Sequence, residues 1–176
     1  MNILVFCGSS IGKHVMYINE CFQLGKWMAQ NGHTLIYGGS ANGTMGVLAD
    51  TVLENGGKAI GIMPKCLVEL ERVHDGLTEL HIAEGMAERK QQMRDMADIA
   101  LALPGGPGTL EEISEAISWA RIGQFNKPCV VYNFNHYYDA LENMFQTMQK
   151  EGFLNEGFSL QVVHNVEELQ TFIEQQ

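Results

Sequence analysis

Short apolar runs alternate along the chain with longer stretches in which apolar positions recur every three or four residues. The short runs, residues 2–7, 34–37, 59–63, 79–82, 99–103 and 129–134, predict strands. The longer stretches, residues 14–30, 45–55, 84–96, 109–122, 137–150 and 166–175, predict helices. Most of the strand candidates are continuously apolar, the pattern of strands covered on both faces. Strands and helices in alternation build βαβ units, so the chain reads as α/β: a doubly wound parallel sheet with helices on both faces. Phe22, Leu24, Trp27 and Met28 cluster at helical spacing and are expected to face that sheet. No repeat, low-complexity tract or Pro/Gly/Ser-rich linker interrupts residues 1–176, which predicts one domain.

Composition narrows the ligand. Hydrophobic residues make up 45% of the 176 positions and charged residues 18%, which suits a packed core and argues against disorder. Eleven Lys and Arg against 21 Asp and Glu give a formal net charge of -10, the wrong sign for a surface that neutralises a nucleic-acid backbone. A small phosphorylated ligand stays compatible where local backbone donors overcome that field. Cys7, Cys21, Cys66 and Cys129 are widely spaced, which predicts reduced thiols and a cytoplasmic location. The six histidines share no metal-ligand spacing, so no metal site is expected. No run approaches ~18 apolar residues and no basic-flanked leader is present, so neither a membrane span nor an export signal is expected.

Glycines gather where strands hand over to helices, the place where open α/β sheets bind ligands. Gly8-Ser9-Ser10-Ile11-Gly12-Lys13 follows the first strand but fits neither a Walker A loop nor the G-x-G-x-x-G of dinucleotide binders. Gly38-Gly39-Ser40-Ala41-Asn42-Gly43-Thr44-Met45-Gly46 follows the second strand and lacks the acidic residue that would hold a cofactor ribose. Its small residues allow close approach of a ligand, or simply a tight crossover. Pro104-Gly105-Gly106-Pro107-Gly108-Thr109-Leu110-Glu111-Glu112 lies between an apolar strand and an amphipathic helix, where unpaired N–H groups and the helix dipole favour a phosphate. Glu111 and Glu112 are expected in the first helical turn. Neighbouring helical residues point about 100° apart, so at most one of the two faces a ligand squarely. Met86-Ala87-Glu88-Arg89-Lys90 precedes the fifth strand, and Arg89, with its planar fork, is a better binder of phosphate or ribose oxygens than Lys90. Its ordinary reading is a solvated charged face.

Together, Gly38-Gly39 with Gly43-Thr44-Met45-Gly46, the Glu88-Arg89-Lys90 segment and Pro104-Gly105-Gly106-Pro107-Gly108-Thr109-Leu110-Glu111-Glu112 resemble the LONELY GUY family of cytokinin riboside 5'-monophosphate phosphoribohydrolases, often labelled lysine decarboxylases. The resemblance runs from Gly8-Ser9-Ser10 through Trp119 and Lys127-Pro128 to Gly152-Phe153. It implies a Rossmann-like homodimer that hydrolyses the N-glycosidic bond of a nucleoside 5'-monophosphate to free base and ribose 5-phosphate, with no metal or redox cofactor. By position it implies Arg89 and Glu112 as the catalytic pair and Glu111 as an accessory. Gly105, Gly106, Gly108 and Thr109 would form the phosphate cradle, with Gly8, Ser9, Gly38, Gly39, Gly43, Met86 and Lys90 completing the substrate site. Ala87 stands where many members carry His, and the Arg121-Ile122-Gly123-Gln124-Phe125 stretch differs from plant-type members; both bear on the base accepted rather than the bond broken.

The residue types suit that chemistry. Cleaving ribose C1' from a base nitrogen builds oxocarbenium character, which a carboxylate stabilises or relieves by activating water. Glu112 is the candidate, and Arg89, a poor proton donor, acts by positioning. Three other readings stay open: a nucleotide nucleosidase of broad base specificity, a non-catalytic carrier of a phosphorylated ligand such as molybdenum cofactor, and, weakest, a pyridoxal-phosphate decarboxylase without a marked Schiff-base lysine.

Overall fold

The computed structural model describes residues 1–70 and 72–176. In chain order the elements are β1 (Asn2–Phe6), α1 (Val15–Gln30), β2 (Thr34–Tyr37), α2 (Gly43–Glu54), β3 (Lys58–Pro64), α3 (Lys65–Val68) and β4 (Glu79–Ala83). There follow α4 (Met86–Met96), β5 (Ile99–Ala102), α5 (Pro107–Arg121), β6 (Cys129–Tyr132), a 3-10 turn at Phe134–His136, α6 (Asp139–Lys150), β7 (Gln161–Val163) and α7 (Val166–Glu174). Among the described residues the seven strands form one sheet in the order β4-β3-β2-β1-β5-β6-β7, with every ladder parallel. The doubly wound α/β architecture expected from the apolar pattern is the one observed.

The pleat explains how one strand serves two cores. Ile3, Val5 and Cys7 face one way and pack with residues of α1, α2 and α7, including Leu24, Met28, Leu48 and Leu169. Leu4 and Phe6 face the other way and pack with Met93 of α4 and with Ile113, Ala116 and Ile117 of α5. Both faces of β1 are therefore dry, as its continuous apolar run requires.

The differences from the expected elements are local. Phe22 is 45% exposed, and it is Cys21 that joins Leu24, Trp27 and Met28 in the buried face of α1. β6 stops at Tyr132 and the chain turns through Phe134–His136 before α6. The short α3 and the three-residue β7 are additions that the apolar pattern does not announce. α5 begins at Pro107 rather than at Thr109, because proline at the first helical position already has the required φ and no N–H to leave unpaired. Glu111 and Glu112 consequently lie beyond the first turn, where helix-dipole stabilisation no longer accounts for them. No described helix is long and apolar enough to cross a membrane.

Candidate active site

β1 and β5 are neighbours at the centre of the sheet, and the chain winds outward from them in opposite directions. The loops that leave their carboxyl ends therefore diverge and open a crevice. A cavity of about 530 Å3 lies there, lined by residues 7–12 after β1, residues 104–109 after β5, the start of α2 and one side each of α4 and α5. That volume is in the range of small-molecule sites.

One end of the cavity is built from backbone. The N-cap of α5 is Gly106, with no side-chain cap, and Pro107 stands first in the helix. The next N–H groups, those of Gly108 and Thr109, belong to the turn that has no intrahelical acceptors. Before them, the N–H groups of Gly105 and Gly106 meet no protein acceptor among the described residues. A Cβ on Gly105 would sit 2.2 Å from Thr109 Oγ1, so glycine is what lets the loop fold back against its own helix. The β1 loop is held just as firmly: the Gly8 N–H donates to Thr44 Oγ1 at 2.9 Å, and that hydroxyl donates to the Gly8 carbonyl at 3.1 Å. Gly43, at φ +62, passes beneath the same loop, where a Cβ would meet Ser9 C at 2.2 Å. Converging amides at a helix N-terminus with no competing side chain make an anion site.

Beside it lies a buried ion pair. Arg89 of α4 donates from Nη1 to Glu112 Oε1 of α5 at 2.7 Å and from Nε to the Ile62 carbonyl at 3.1 Å. Arg89 is 7% exposed and Glu112 9% exposed, and both line the cavity. The solvated-face reading of Arg89 does not survive this burial. Nη2 donates to no protein acceptor among the described residues, which leaves part of the fork free for a ligand. Burial lifts the Glu112 carboxyl above the usual carboxylate range; Arg89 opposes that rise and Glu111 adds to it.

Gly38 makes room for this arrangement. A Cβ there would come within 2.7 Å of Arg89 Nη2 and 3.0 Å of Met45 Sδ. Because those are ends of flexible side chains, Gly38→Ala should fold normally while displacing the guanidinium. Turnover is expected to fall roughly 10–100-fold with an unchanged circular dichroism spectrum, since small misplacements at a reacting centre have effects of that order.

Behind the pair, a second set of charges ties the two helices together. Lys90 donates to Glu111 at 2.6 Å and Glu115 at 3.0 Å, and Arg94 donates to Glu115 at 2.7 Å while its guanidinium lies 4.0 Å from the Trp119 ring centre. Lys90 does not line the cavity, whereas Glu111, half exposed and paired with Lys90, does. Of the other residues singled out in the sequence, Gly8, Ser9, Gly38, Met86, Gly105, Gly106, Gly108 and Thr109 line the cavity. Gly39 and Gly43 do not: Gly39 packs toward Gly61 of β3, and Gly43 supports the β1 loop from below. Sequence reasoning passed over Cys7, Tyr17, Leu67, Met93 and Tyr137, which also line it. Burial and the nearby Cys21 and Glu112 push the Cys7 thiol well up, so it sits in the wall as a neutral group. Among the described residues no three His, Cys, Asp or Glu side chains gather as metal ligands.

Known proteins share both the sequence and the fold. Residues 45–175 match the family described as "possible lysine decarboxylase". The cytokinin riboside 5'-monophosphate phosphoribohydrolase of Rhodococcoides fascians is 37% identical over 163 residues, 92% of this chain and 82% of the relative. The probable cytokinin riboside 5'-monophosphate phosphoribohydrolase LOGL1 of Oryza sativa subsp. japonica is 40% identical over 152 residues, 86% of this chain and 68% of that one. Among solved structures, the molybdenum cofactor carrier protein of Chlamydomonas reinhardtii superposes with a TM-score of 0.75 at 21% identity, covering 99% of this chain and 96% of that one, a likeness of fold alone. With the match to the family spanning most of the chain and relatives this similar over most of their length, the chain belongs to the cytokinin riboside 5'-monophosphate phosphoribohydrolase, or LONELY GUY, family.

Proposed function

We propose that the protein hydrolyses the N-glycosidic bond of a nucleoside 5'-monophosphate, a cytokinin riboside 5'-monophosphate or AMP, releasing free base and ribose 5-phosphate. The observation that carries this reading is the buried Arg89–Glu112 pair beside a helix N-terminus that has no side-chain cap. The amides of Gly105, Gly106, Gly108 and Thr109 hold the phosphate, with Gly8 and Ser9 closing the site from the β1 loop. The ribose then lies between that cradle and α4, with C1' toward Glu112. As the C1'–N bond breaks, its electron pair leaves with the base nitrogen, which takes up a proton. The Glu112 carboxylate stabilises the positive charge on the sugar and accepts a proton from the attacking water, whose oxygen forms the new bond to C1'. Arg89 fixes the Glu112 rotamer and offers Nη2 to the ribose or phosphate. Met86 and Met93 supply apolar wall for the base. Glu111, at the cavity wall, and Lys90 pin α4 to α5.

The direction of the Glu112 shift sets the acid limb. A carboxyl raised by burial protonates at a higher pH than a free glutamate, so kcat should decline on acidification before ordinary carboxylates titrate. The same shift means that the stability this group contributes is present at low pH and is lost as pH rises through its folded pKa. A pH–kcat profile for AMP hydrolysis checks the first point; a flat profile down to the usual glutamate range would contradict it.

A carrier of a phosphorylated cofactor needs the cradle but not the buried carboxylate, and release of ribose 5-phosphate from AMP separates the two functions. We further propose that residues 1–176 act as one domain, that the chain works as a homodimer, and that it resides in the cytoplasm. Cys7, Cys21, Cys66 and Cys129 are all free and all but Cys66 are buried, which supports a reducing location. The partly exposed apolar residues Met86 and Leu110, beside the cavity on α4 and α5, support a subunit contact. Sedimentation at twice the chain mass is the result expected for the dimer.

A further inference from the structure

We infer that Tyr137 is a positioning residue for the anion cradle: its phenol holds the Gly105 carbonyl and thereby turns the Gly106 N–H toward the cavity. The inference rests on the phosphoribohydrolase reading and adds to it a group outside the glycine motif.

Two adjacent tyrosines tether the loop after β5. The Tyr138 hydroxyl donates to the Leu103 carbonyl at 2.7 Å, and the Tyr137 hydroxyl donates to the Gly105 carbonyl. In a trans peptide the C=O and the following N–H point in opposite directions. Anchoring the Gly105 oxygen on Tyr137 therefore fixes the direction of the Gly106 N–H, which has no protein acceptor among the described residues and belongs to a residue lining the cavity. Between two glycines this peptide has little steric resistance to rotation. Were it to flip, a carbonyl oxygen would replace a donor where the phosphate binds, and attraction would become repulsion.

The turn that carries Tyr137 is built independently of the loop it holds. Asn135 and His136 sit at φ 54 and φ 60, left-handed conformations that side chains other than glycine rarely adopt and that persist only where surroundings enforce them. The enforcement is visible: Asn133 accepts from the Tyr138 N–H at 2.7 Å through Oδ1 and donates to Asp139 at 2.8 Å and to Glu142 through Nδ2. The Tyr137 ring is held edge-on by Tyr138 at 4.9 Å and by Tyr17, another cavity residue, at 6.0 Å. The two tyrosines differ in what they reach. Tyr138 is buried in the second core cluster and ties down the strand end, whereas Tyr137 is partly exposed and borders the cavity.

The test compares the wild type with Tyr137→Phe, which removes one partly exposed hydroxyl and leaves the ring. Ribose 5-phosphate affinity is measured by calorimetry, and kcat/KM is measured for AMP and for adenosine. We expect affinity for ribose 5-phosphate to weaken about tenfold, the scale of a weakened hydrogen bond to a charged group. The ratio of kcat/KM for AMP to that for adenosine should fall by a similar factor, with the loss on AMP appearing mainly in KM. Unchanged ribose 5-phosphate affinity, or equal losses on AMP and adenosine that leave the ratio intact, would overturn the assignment and leave Tyr137 a packing residue. A wild-type protein that binds no ribose 5-phosphate would instead refute the phosphoribohydrolase reading, and this inference with it.

Discussion

Replacing Glu112 by Gln is expected to lower kcat at least ~10³-fold while leaving AMP affinity within a few-fold of wild type. The amide keeps the volume of the side chain and an oxygen that accepts from Arg89 Nη1, so the contact at 2.7 Å between α4 and α5 is retained. What it loses is the negative charge opposite the developing cation and the capacity to take a proton from water. Removing a preorganised electrostatic partner of a transition state costs about 10²–10³ in rate, and removing general-base function about 10²–10⁴. Alanine is the poorer probe, because a buried guanidinium without its partner destabilises a fold by ~3–5 kcal/mol. Steady-state kinetics with parallel calorimetric titration of AMP separate the two effects. Undiminished turnover would transfer the role to another group, with Glu111 next.

The second large effect concerns the substrate. Adenosine, lacking the phosphate, should be cleaved with a kcat/KM ~10²–10⁴-fold below that of AMP. Even two of the four cradle amides, at ~1.5–3 kcal/mol each to a phosphate dianion, supply about 3–6 kcal/mol, which converts to that ratio at 1.36 kcal/mol per decade. Because the cradle lies away from the bond that breaks, its contribution holds C1' against Glu112 and should appear in kcat as well as KM. Comparable efficiency on the two substrates would mean that the glycine loop is scaffold and not a binding site.

Much of this was legible in the sequence, for a physical reason. Strands covered on both faces must be continuously apolar, so β1, β2, β3 and β5 announce themselves. β7, three residues at the sheet edge with Gln161 exposed, carries too short a pattern, and the four-residue α3 carries none. The glycine loops were readable because close backbone approach leaves few alternatives to glycine. Arg89 was not readable as buried: α4 is rich in charged residues, and only the packing of α5 against it decides that Arg89 reaches Glu112 in the cavity wall while Lys90 reaches Glu111 and Glu115. Of Glu111 and Glu112, both of which line the cavity, the same packing makes Glu112 the one that pairs with Arg89, a difference the sequence alone does not carry. Tyr137 lay hidden because its position depends on two left-handed residues that an apolar pattern cannot register.

The most direct measurement is identification of the products formed from AMP and from isopentenyl-AMP by the wild-type protein and by Glu112→Gln. Ribose 5-phosphate and free base in equal amounts from the wild type, with neither from the variant, is the expected result. Nucleoside with orthophosphate, no product at all, or the same yield from both proteins would contradict it.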